Sequence, residues 1–201
     1  MARLLTLLAI GVLLAGCGSP DAFEAEPAAA VEVVGELQPQ RAWSRDVGAA
    51  AGLQDRLTPA YAGGRLFVAS AGGRVMALDP ETGRTLWSRE LGRSLSGGPA
   101  ADEELVVIGS REGRVIALSA EDGATCWISA VTSEVLAPAA LGTDTVVARS
   151  NDGRVFALER DSGERRWIYD RNVPTLSIRG YGAPVIPRVA GGSSSASTTA
   201  G

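Results

Sequence analysis

The stretch Gly113–Trp127, "GRVIALSAEDGATCW", is written almost identically twice more in this chain. Gly73–Trp87 reads "GRVMALDPETGRTLW", and Gly153–Trp167 reads "GRVFALERDSGERRW". The copies are spaced 40 residues apart, and in each of them a glycine precedes the final tryptophan by four positions. Self-similarity at a fixed period of this length predicts a structure built from successive copies of one small unit.

Each copy contains the pattern of short β-strands. In the second unit we predict four of them, at Pro99–Ala101, Glu104–Gly109, Arg114–Ser119 and Thr125–Ser129. The third strand alternates, so Ile116 and Leu118 lie on one face while Val115, Ala117 and Ser119 lie on the other. The turn before the fourth strand, "SAEDG", ends in a glycine suited to a hairpin with positive φ. Four such strands in a unit of this length are typical of a β-propeller blade.

The repeated tryptophans and glycines predict how the blades pack. We expect Trp87, Trp127 and Trp167, with the hairpin glycines Gly83, Gly123 and Gly163, to be structural repeat residues, each indole packed between neighbouring blades. Trp43 resembles the last strand of a preceding unit, and Ala183–Ile186 resembles the opening of a fourth. The expected fold is all-β, an incomplete propeller over residues 41–188 with about three blades plus the start of a fourth and an exposed edge.

The N-terminus has the features of a signal peptide, expected over residues 1–16. Arg3 is a short basic region, and Leu4–Leu14 is an apolar run too short to span a bilayer as a helix. Leu14–Cys17 resembles the lipobox of bacterial lipoproteins, which implies cleavage before Cys17 and lipidation of its sulfur. The alternatives are a plain secretory signal and an apolar N-terminus with an incidental cysteine. Because no Asp follows the cysteine directly, the resemblance implies anchoring at the outer membrane, on its periplasmic face.

Two segments outside the repeats have low complexity. Residues 17–40 are rich in Ala, Glu and Pro and are expected to form a lipidated tether. Residues 189–201 include "GGSSSASTTAG" and are expected to be a disordered tail. Such a tail is typical of a truncated or frame-shifted gene.

Composition excludes several functions. The formal net charge is −4, which argues against a nucleic-acid partner. The 201 residues include no histidine, which removes His-based catalysis and His-ligated metal sites. The second cysteine, Cys126, occupies a position taken by Leu86 and Arg166 in the other copies, so we expect it to be peripheral and not catalytic.

The repeat resembles the PQQ-like repeat of quinoprotein-type propellers, "G-x-x-x-A-L-D-x-x-T-G-x-x-x-W", over roughly residues 42–186. One reading of this resemblance is a fragment of a PQQ-dependent dehydrogenase. Those enzymes use adjacent cysteines and a central cluster of Ca²⁺ ligands, and this sequence has neither pattern. Its prominent acidic residues occupy turn positions: Asp79, Glu81, Asp122, Asp152 and Asp161. We therefore expect no enzyme activity, no cofactor and no metal site.

The lipobox, the tether and these blades together resemble the BamB family of lipoproteins. Val173–Pro184, "VPTLSIRGYGAP", is similar to a segment of that family between the third and fourth blades. The resemblance implies that Leu176, Ile178 and Arg179 contact the POTRA domains of a BamA-like barrel protein, and that unfolded outer-membrane proteins are the clients. From pattern alone, Leu176 and Ile178 also suit an inner strand of a fourth blade. A generic PQQ-repeat periplasmic binding lipoprotein is a further alternative.

Overall fold

Among the residues that the structure describes, twelve antiparallel strands form three four-stranded sheets. The computed structural model describes residues 40–52, 55–170 and 182–186. Sheets β1–β4, β5–β8 and β9–β12 are called blades 1, 2 and 3, and each runs in chain order from its first strand to its last. The strands are β1 Ala60–Ala62, β2 Arg65–Ala69, β3 Arg74–Leu78, β4 Thr85–Glu90, β5 Leu95–Ala101, β6 Leu105–Ser110, β7 Arg114–Ser119, β8 Thr125–Ala130, β9 Ala140–Leu141, β10 Thr145–Arg149, β11 Val155–Glu159 and β12 Arg165–Tyr169. The predicted all-β, incomplete propeller is confirmed.

Blade 2 is buried on both faces, as the alternation along its third strand predicts. Ile116 and Leu118 pack in one cluster with Phe67 and Val75 of blade 1. Val115 and Ala117 pack in a second cluster, which contains Phe156 and Leu158 of blade 3. Because successive side chains point to opposite faces, one strand supplies the core of two neighbouring interfaces. The hydrophobic core therefore lies between the blades.

Hairpins of one kind join the third and fourth strands. In blade 1, the Gly83 amide donates to the Asp79 carbonyl at 2.9 Å, and the Asp79 carboxylate accepts the Glu81 and Thr82 amides. Gly83, Gly123 and Gly163 have φ values of 69°, 74° and 70°. L-residues with a side chain rarely adopt this conformation, so glycine is required by the backbone alone.

Gly123 and Gly163 each lie beneath an indole from the preceding blade. Trp87 Nε1 donates to the Ala120 carbonyl at 3.0 Å, and Trp127 Nε1 donates to the Arg160 carbonyl at 2.7 Å. A Cβ added to Gly123 would lie 2.6 Å from the Trp87 ring, and one on Gly163 would lie 2.5 Å from the Trp127 ring. The absence of a side chain thus lets the ring approach the backbone and reach a carbonyl three residues earlier.

Trp43 makes the same contact on blade 1. Its Nε1 donates to the Pro80 carbonyl at 2.9 Å, and its ring would lie 2.6 Å from a Cβ on Gly83. Residues 41–48 form no strand, although the sequence suggests the last strand of a preceding blade. A strand requires a hydrogen-bonded neighbour, and none of the described segments supplies one here.

Two partly buried ion pairs hold blade 2 to other parts of the chain. Arg160 donates from Nη1 to Asp102 Oδ2 at 2.7 Å and from Nη2 to Asp102 Oδ1 at 3.0 Å, joining the β11–β12 hairpin to blade 2. Asp55, whose side chain is fully buried, accepts from Arg111 at 2.7 Å and from the Gly52 amide. The next residue, Arg56, forms a parallel bridge with Gly97 of β5. The Asp55–Arg111 ion pair and this bridge therefore attach the segment before blade 1 to blade 2.

The ends of the repeat region differ from the sequence pattern. β5 begins at Leu95, four residues before the predicted Pro99, because Leu95 and Gly97 also pair with β6, across two register shifts. Residues 183–186 form no strand, and Ile186 lies beside Gly142 of blade 3.

The expected signal peptide, the tail and all but the last residue of the tether lie outside the described residues. Within the described ranges, no helix has the length and hydrophobicity needed to cross a membrane.

Replacing Gly123 by alanine will destabilise the chain more than the same change at Gly92. Both glycines have positive φ, so both variants incur the left-handed penalty of about 1–2 kcal/mol. Only at Gly123 does the new methyl also meet the Trp87 ring, since nothing lies within 4 Å of a Cβ on Gly92. We expect G123A to lose a further ~1–3 kcal/mol, measured by urea unfolding. Equal losses in the two variants would contradict the role given to the indole.

The Asp102–Arg160 pair will make stability dependent on pH. Burial opposes ionisation of Asp102, but hydrogen bonds from Arg160 and from the Leu105 and Glu104 amides outweigh it and lower the pKa of this carboxyl. A carboxyl with a lowered folded pKa stabilises the fold above its unfolded pKa of about 3.9, and this contribution is lost as pH falls further.

We therefore expect Asp102→Asn to lower the free energy of unfolding at pH 7. The difference from the parent chain will shrink between about pH 4 and pH 2. Asp161→Asn, in an exposed hairpin, is the control and will leave the unfolding midpoint unchanged at pH 7. A D102N penalty that is independent of pH would show that the carboxylate charge is not involved.

Candidate functional site

Blade 3 carries an apolar face that is partly exposed, mainly at its last strand. Val147, Ala157 and Trp167 are cross-strand neighbours in one row, and Val155 pairs with Tyr169 in the next. We call these five residues the open face. The corresponding row of blade 1 is Phe67, Ala77 and Trp87, and that of blade 2 is Val107, Ala117 and Trp127. Each of these two rows is packed against the following blade.

Trp167 differs from the two tryptophans before it. Trp87 and Trp127 are buried, whereas half of the Trp167 side chain is exposed, as is 58% of Tyr169. The expected packing between neighbouring blades thus holds for the first two and not for Trp167. The reason is that no hairpin glycine of a following blade lies among the described residues.

A second donor accompanies the indole at each interface, two positions after the tryptophan. Arg89 donates to the Gly123 and Asp122 carbonyls at 3.3 and 2.9 Å. Ser129 Oγ donates to the Gly163 carbonyl, and Arg45 donates to Thr85 at 2.6 Å. Tyr169 occupies this position in blade 3 and presents a phenol O–H. The sequence pattern misses this feature because the residue type at this position varies, with arginine in two cases and serine and tyrosine in the others.

The last strand of each blade is a sheet edge. β4, β8 and β12 end their sheets, and each exposes an apolar side chain: Leu86, Ile128 and Ile168. An edge strand presents backbone N–H and C=O groups that can pair with another extended chain. The three edges are therefore candidate sites for an extended peptide.

A groove lies between residues 44–46 and blade 1. Its volume is about 620 Å³, and it is lined by Ser44, Arg45, Asp46, Arg74, Met76, Thr85, Ser88 and Glu90. Two cross-strand pairs, Arg74 with Glu90 and Met76 with Ser88, form part of its wall. Residues 41–48, which include Trp43, thus cover this face of blade 1 only in part.

The acidic residues of the hairpins are engaged in turn structure. Hydrogen bonds from the Thr82 amide and hydroxyl lower the pKa of Asp79, and one from the Ala124 amide, with another from Ser119, lowers the pKa of Asp122. Asp152 accepts from Ser150, Thr132 and Arg154. Across the described part of the chain, no three His, Cys, Asp or Glu residues lie close enough together to hold a metal ion.

Cys126 is exposed on β8, as its variable repeat position predicts. Burial of the sulfur and the neighbouring Asp122 carboxylate both raise the pKa of the thiol. A raised pKa reduces the thiolate fraction at neutral pH and with it the reactivity of the sulfur.

The residues predicted to bind a lipid or a partner lie outside the described residues. These are Cys17 and the triplet Leu176, Ile178 and Arg179. The described chain stops before the triplet at Asp170, whose carboxylate pairs with Arg154 at 2.9 Å, and resumes at Gly182. The placement of the triplet therefore stays a prediction.

Comparison with known proteins agrees with the three-blade geometry. A family described as outer membrane protein assembly factor BamB matches residues 29–94 and 71–200. The BamB of Pseudomonas aeruginosa is 40% identical over 105 residues, which are 52% of this chain and 28% of that protein. The BamB of Xanthomonas campestris is 38% identical over 129 residues, covering 54% of this chain and 32% of its own length. The chain thus spans about a third or less of these relatives.

Solved structures show the same fold. The crystal structure of BamB from Moraxella catarrhalis matches with a TM-score of 0.58 and 33% identity, over 68% of this chain and 41% of that one. A europium-containing methanol dehydrogenase matches with a TM-score of 0.55 and 22% identity over 64% of this chain and 26% of its own, a likeness of fold alone. The family match covers most of the sequence, and the chain belongs to the family described as outer membrane protein assembly factor BamB.

Proposed function

We propose that this chain is a lipid-anchored scaffold that assists the assembly of outer-membrane proteins. Membership of the BamB family carries this proposal. The three blades support it because they offer exposed edges and loops, which suit binding to other proteins.

The proposed partner is a BamA-like barrel protein, contacted at its POTRA domains. Leu176, Ile178 and Arg179 would supply two branched apolar side chains and one guanidinium, and arginine is among the residue types enriched at interface hot spots. In the sequence they lie between β12 and residues 182–186. Connections of this kind are where propellers place binding residues.

The proposed clients are unfolded outer-membrane proteins. An extended client segment would pair with the edges of β4, β8 or β12 by β-augmentation, and the apolar side chains Leu86, Ile128 and Ile168 would contact it. Backbone pairing is independent of client sequence, as a general assembly factor requires.

The chain is proposed to catalyse no reaction and to hold no cofactor. Its sequence has no histidine and no adjacent cysteines, and the raised pKa of Cys126 makes that thiol a poor nucleophile. The fold shared with the methanol dehydrogenase does not bring that activity with it, because one fold hosts many functions.

A photo-crosslinking residue placed at Leu176 or Ile178 will capture the BamA-like protein in intact cells. The same probe at Glu121, an exposed residue of the β7–β8 hairpin, is the matched control and will give no such product. Arg179→Glu will weaken binding at least about tenfold, because it reverses the charge of a predicted contact. Capture from Glu121 alone would place the docking surface elsewhere on the molecule.

The two cysteines provide a test of the anchor. Cys17→Ser will move the protein from the outer-membrane fraction to the soluble periplasmic fraction, because the acyl chains that hold it have no attachment point. Cys126→Ser is the control and will leave the distribution unchanged, since that thiol lies exposed on β8. Membrane retention of C17S equal to that of C126S would rule out lipidation at Cys17 as the anchor.

A further inference from the structure

The third strand of each blade begins at or directly after an arginine, and in two blades this arginine pairs with an acidic residue that follows the indole. Arg74 donates from Nε to Glu90 at 2.6 Å in blade 1, and Arg154 donates from Nε to Asp170 at 2.9 Å in blade 3. Arg74 and Glu90 are also cross-strand neighbours on β3 and β4. The ion pair is therefore part of the repeated architecture of the blades.

Blade 2 has the arginine without the carboxylate. The cross-strand neighbour of Arg114 is Ala130, which is exposed. The acidic residue two positions before the arginine, Glu112, accepts the Ser94 amide at 3.2 Å instead. Among the residues that the structure describes, the Arg114 guanidinium consequently forms no ion pair and no hydrogen bond.

The missing carboxylate of Arg114 is set by the sequence of blade 2. In the other two blades, the acidic partner lies at or directly after the end of the fourth strand of the same sheet. In blade 2 that position is described, and it holds alanine. Blade 2 is also packed against a described blade on each of its two faces, so the surroundings of Arg114 within the repeat are present.

Ala130 ends β8, an edge strand that carries no charged side chain. The six residues of β8 read "TCWISA". By contrast, β4 carries Arg89 and Glu90, and β12 carries Arg165 and Arg166. Charged side chains on an edge oppose pairing with another strand, so of these three edges β8 is the one best suited to such pairing.

Ile128 lies on the same side of the sheet as Arg114 and Ala130. It pairs with Ile116, two positions along both strands, and side chains two positions apart point to the same face. Ile128 is 48% exposed. An extended chain added to β8 would therefore meet an apolar side chain and, two positions further, a short side chain beside a guanidinium.

We propose that Arg114, Ala130 and Ile128 form a docking site for an extended protein segment that carries a carboxylate. The segment adds to the edge of β8, with an Asp or Glu opposite Ala130 and an apolar residue opposite Ile128. This inference rests on the proposed binding of extended clients, and it names the client sequence that this edge prefers. Backbone pairing still admits other clients, and the guanidinium adds a preference among them.

The spacing of β-strands makes the contact between Arg114 and the added carboxylate possible. Neighbouring strands lie about 4.8 Å apart, so the backbone of the added strand lies about 10 Å from that of β7. The short side chain of Ala130 leaves the space between them open, and an arginine and a glutamate side chain together span this distance. In antiparallel pairing, the segment reads acidic residue, any residue, apolar residue, because it runs opposite to β8.

Cys126 provides a probe of both the binding and the register of such a segment. It lies on β8 two positions before Ile128 and is exposed. A peptide with the order Glu-x-Leu-x-Cys places its thiol opposite Cys126 when its glutamate lies opposite Ala130. In the Cys17→Ser chain, Cys126 is the single thiol, and the mixed disulfide formed in a buffer of reduced and oxidised glutathione measures binding in this register.

The glutamate peptide will be trapped about three to five times more than a matched Gln-x-Leu-x-Cys peptide, as an exposed ion pair allows. Arg114→Gln will abolish this difference, because the guanidinium is lost. Ala130→Glu will abolish it too, because it supplies a carboxylate within the chain, as Glu90 does in blade 1. Ala124→Glu adds the same charge at an exposed position before β8 and is the control that will leave the difference unchanged.

The variants are expected to fold like the parent chain. The Arg114 guanidinium makes no bond to the described fold, and Ala130 is exposed, so urea unfolding of R114Q and A130E will show no loss in midpoint. A changed trapping ratio in these variants will therefore report on the docking site.

Three results would overturn the proposal. Equal trapping of the two peptides by the parent chain would remove the acidic preference and leave pairing at β8 intact. A preference that survives both R114Q and A130E would assign it to another residue. Trapping of neither peptide would contradict client pairing at β8 as well, whereas docking to the barrel protein is reported separately by the probe at Leu176.

Discussion

The contact of an indole with a glycine hairpin is the interaction on which the packing of the described blades depends. Between blades it requires a tryptophan in one blade and a glycine in the next. The ring can approach the hairpin only where the backbone carries no Cβ, and the ring in turn covers the hairpin. The buried indole N–H of Trp87 also finds an acceptor in the Ala120 carbonyl, which avoids the cost of an unpaired donor in an apolar interior. One pair of residues therefore sets both the spacing and the register of adjacent sheets.

The apolar rows behind this contact supply most of the stability. Each blade face carries Val, Ile, Leu or Phe at alternate positions, and full burial of such a side chain contributes about 1.5–3 kcal/mol. Burial without orientation would allow sheets to slide past one another. The indole and the ion pairs Asp102–Arg160 and Asp55–Arg111 join atoms at defined positions and so restrict sliding.

Much of this architecture could be predicted from the sequence because the repeat shows the same pattern three times. β7 has the bounds that the alternation predicts, and its two faces pack as expected. The start of β5 could not be predicted, since Gly97, Gly98 and Pro99 conceal a strand that begins at Leu95. The Asp55–Arg111 pair was also beyond prediction, because its residues lie 56 positions apart and outside the repeated string.

The positions of the glycine and the tryptophan within one unit have an evolutionary consequence. Each unit carries the surface that receives an indole and, four residues later, the indole that is offered to the next unit. Tandem duplication or deletion of a 40-residue segment would therefore leave every junction chemically complete. Local contacts place no limit on the number of units, and only the curvature needed to return to the first unit selects a particular ring size.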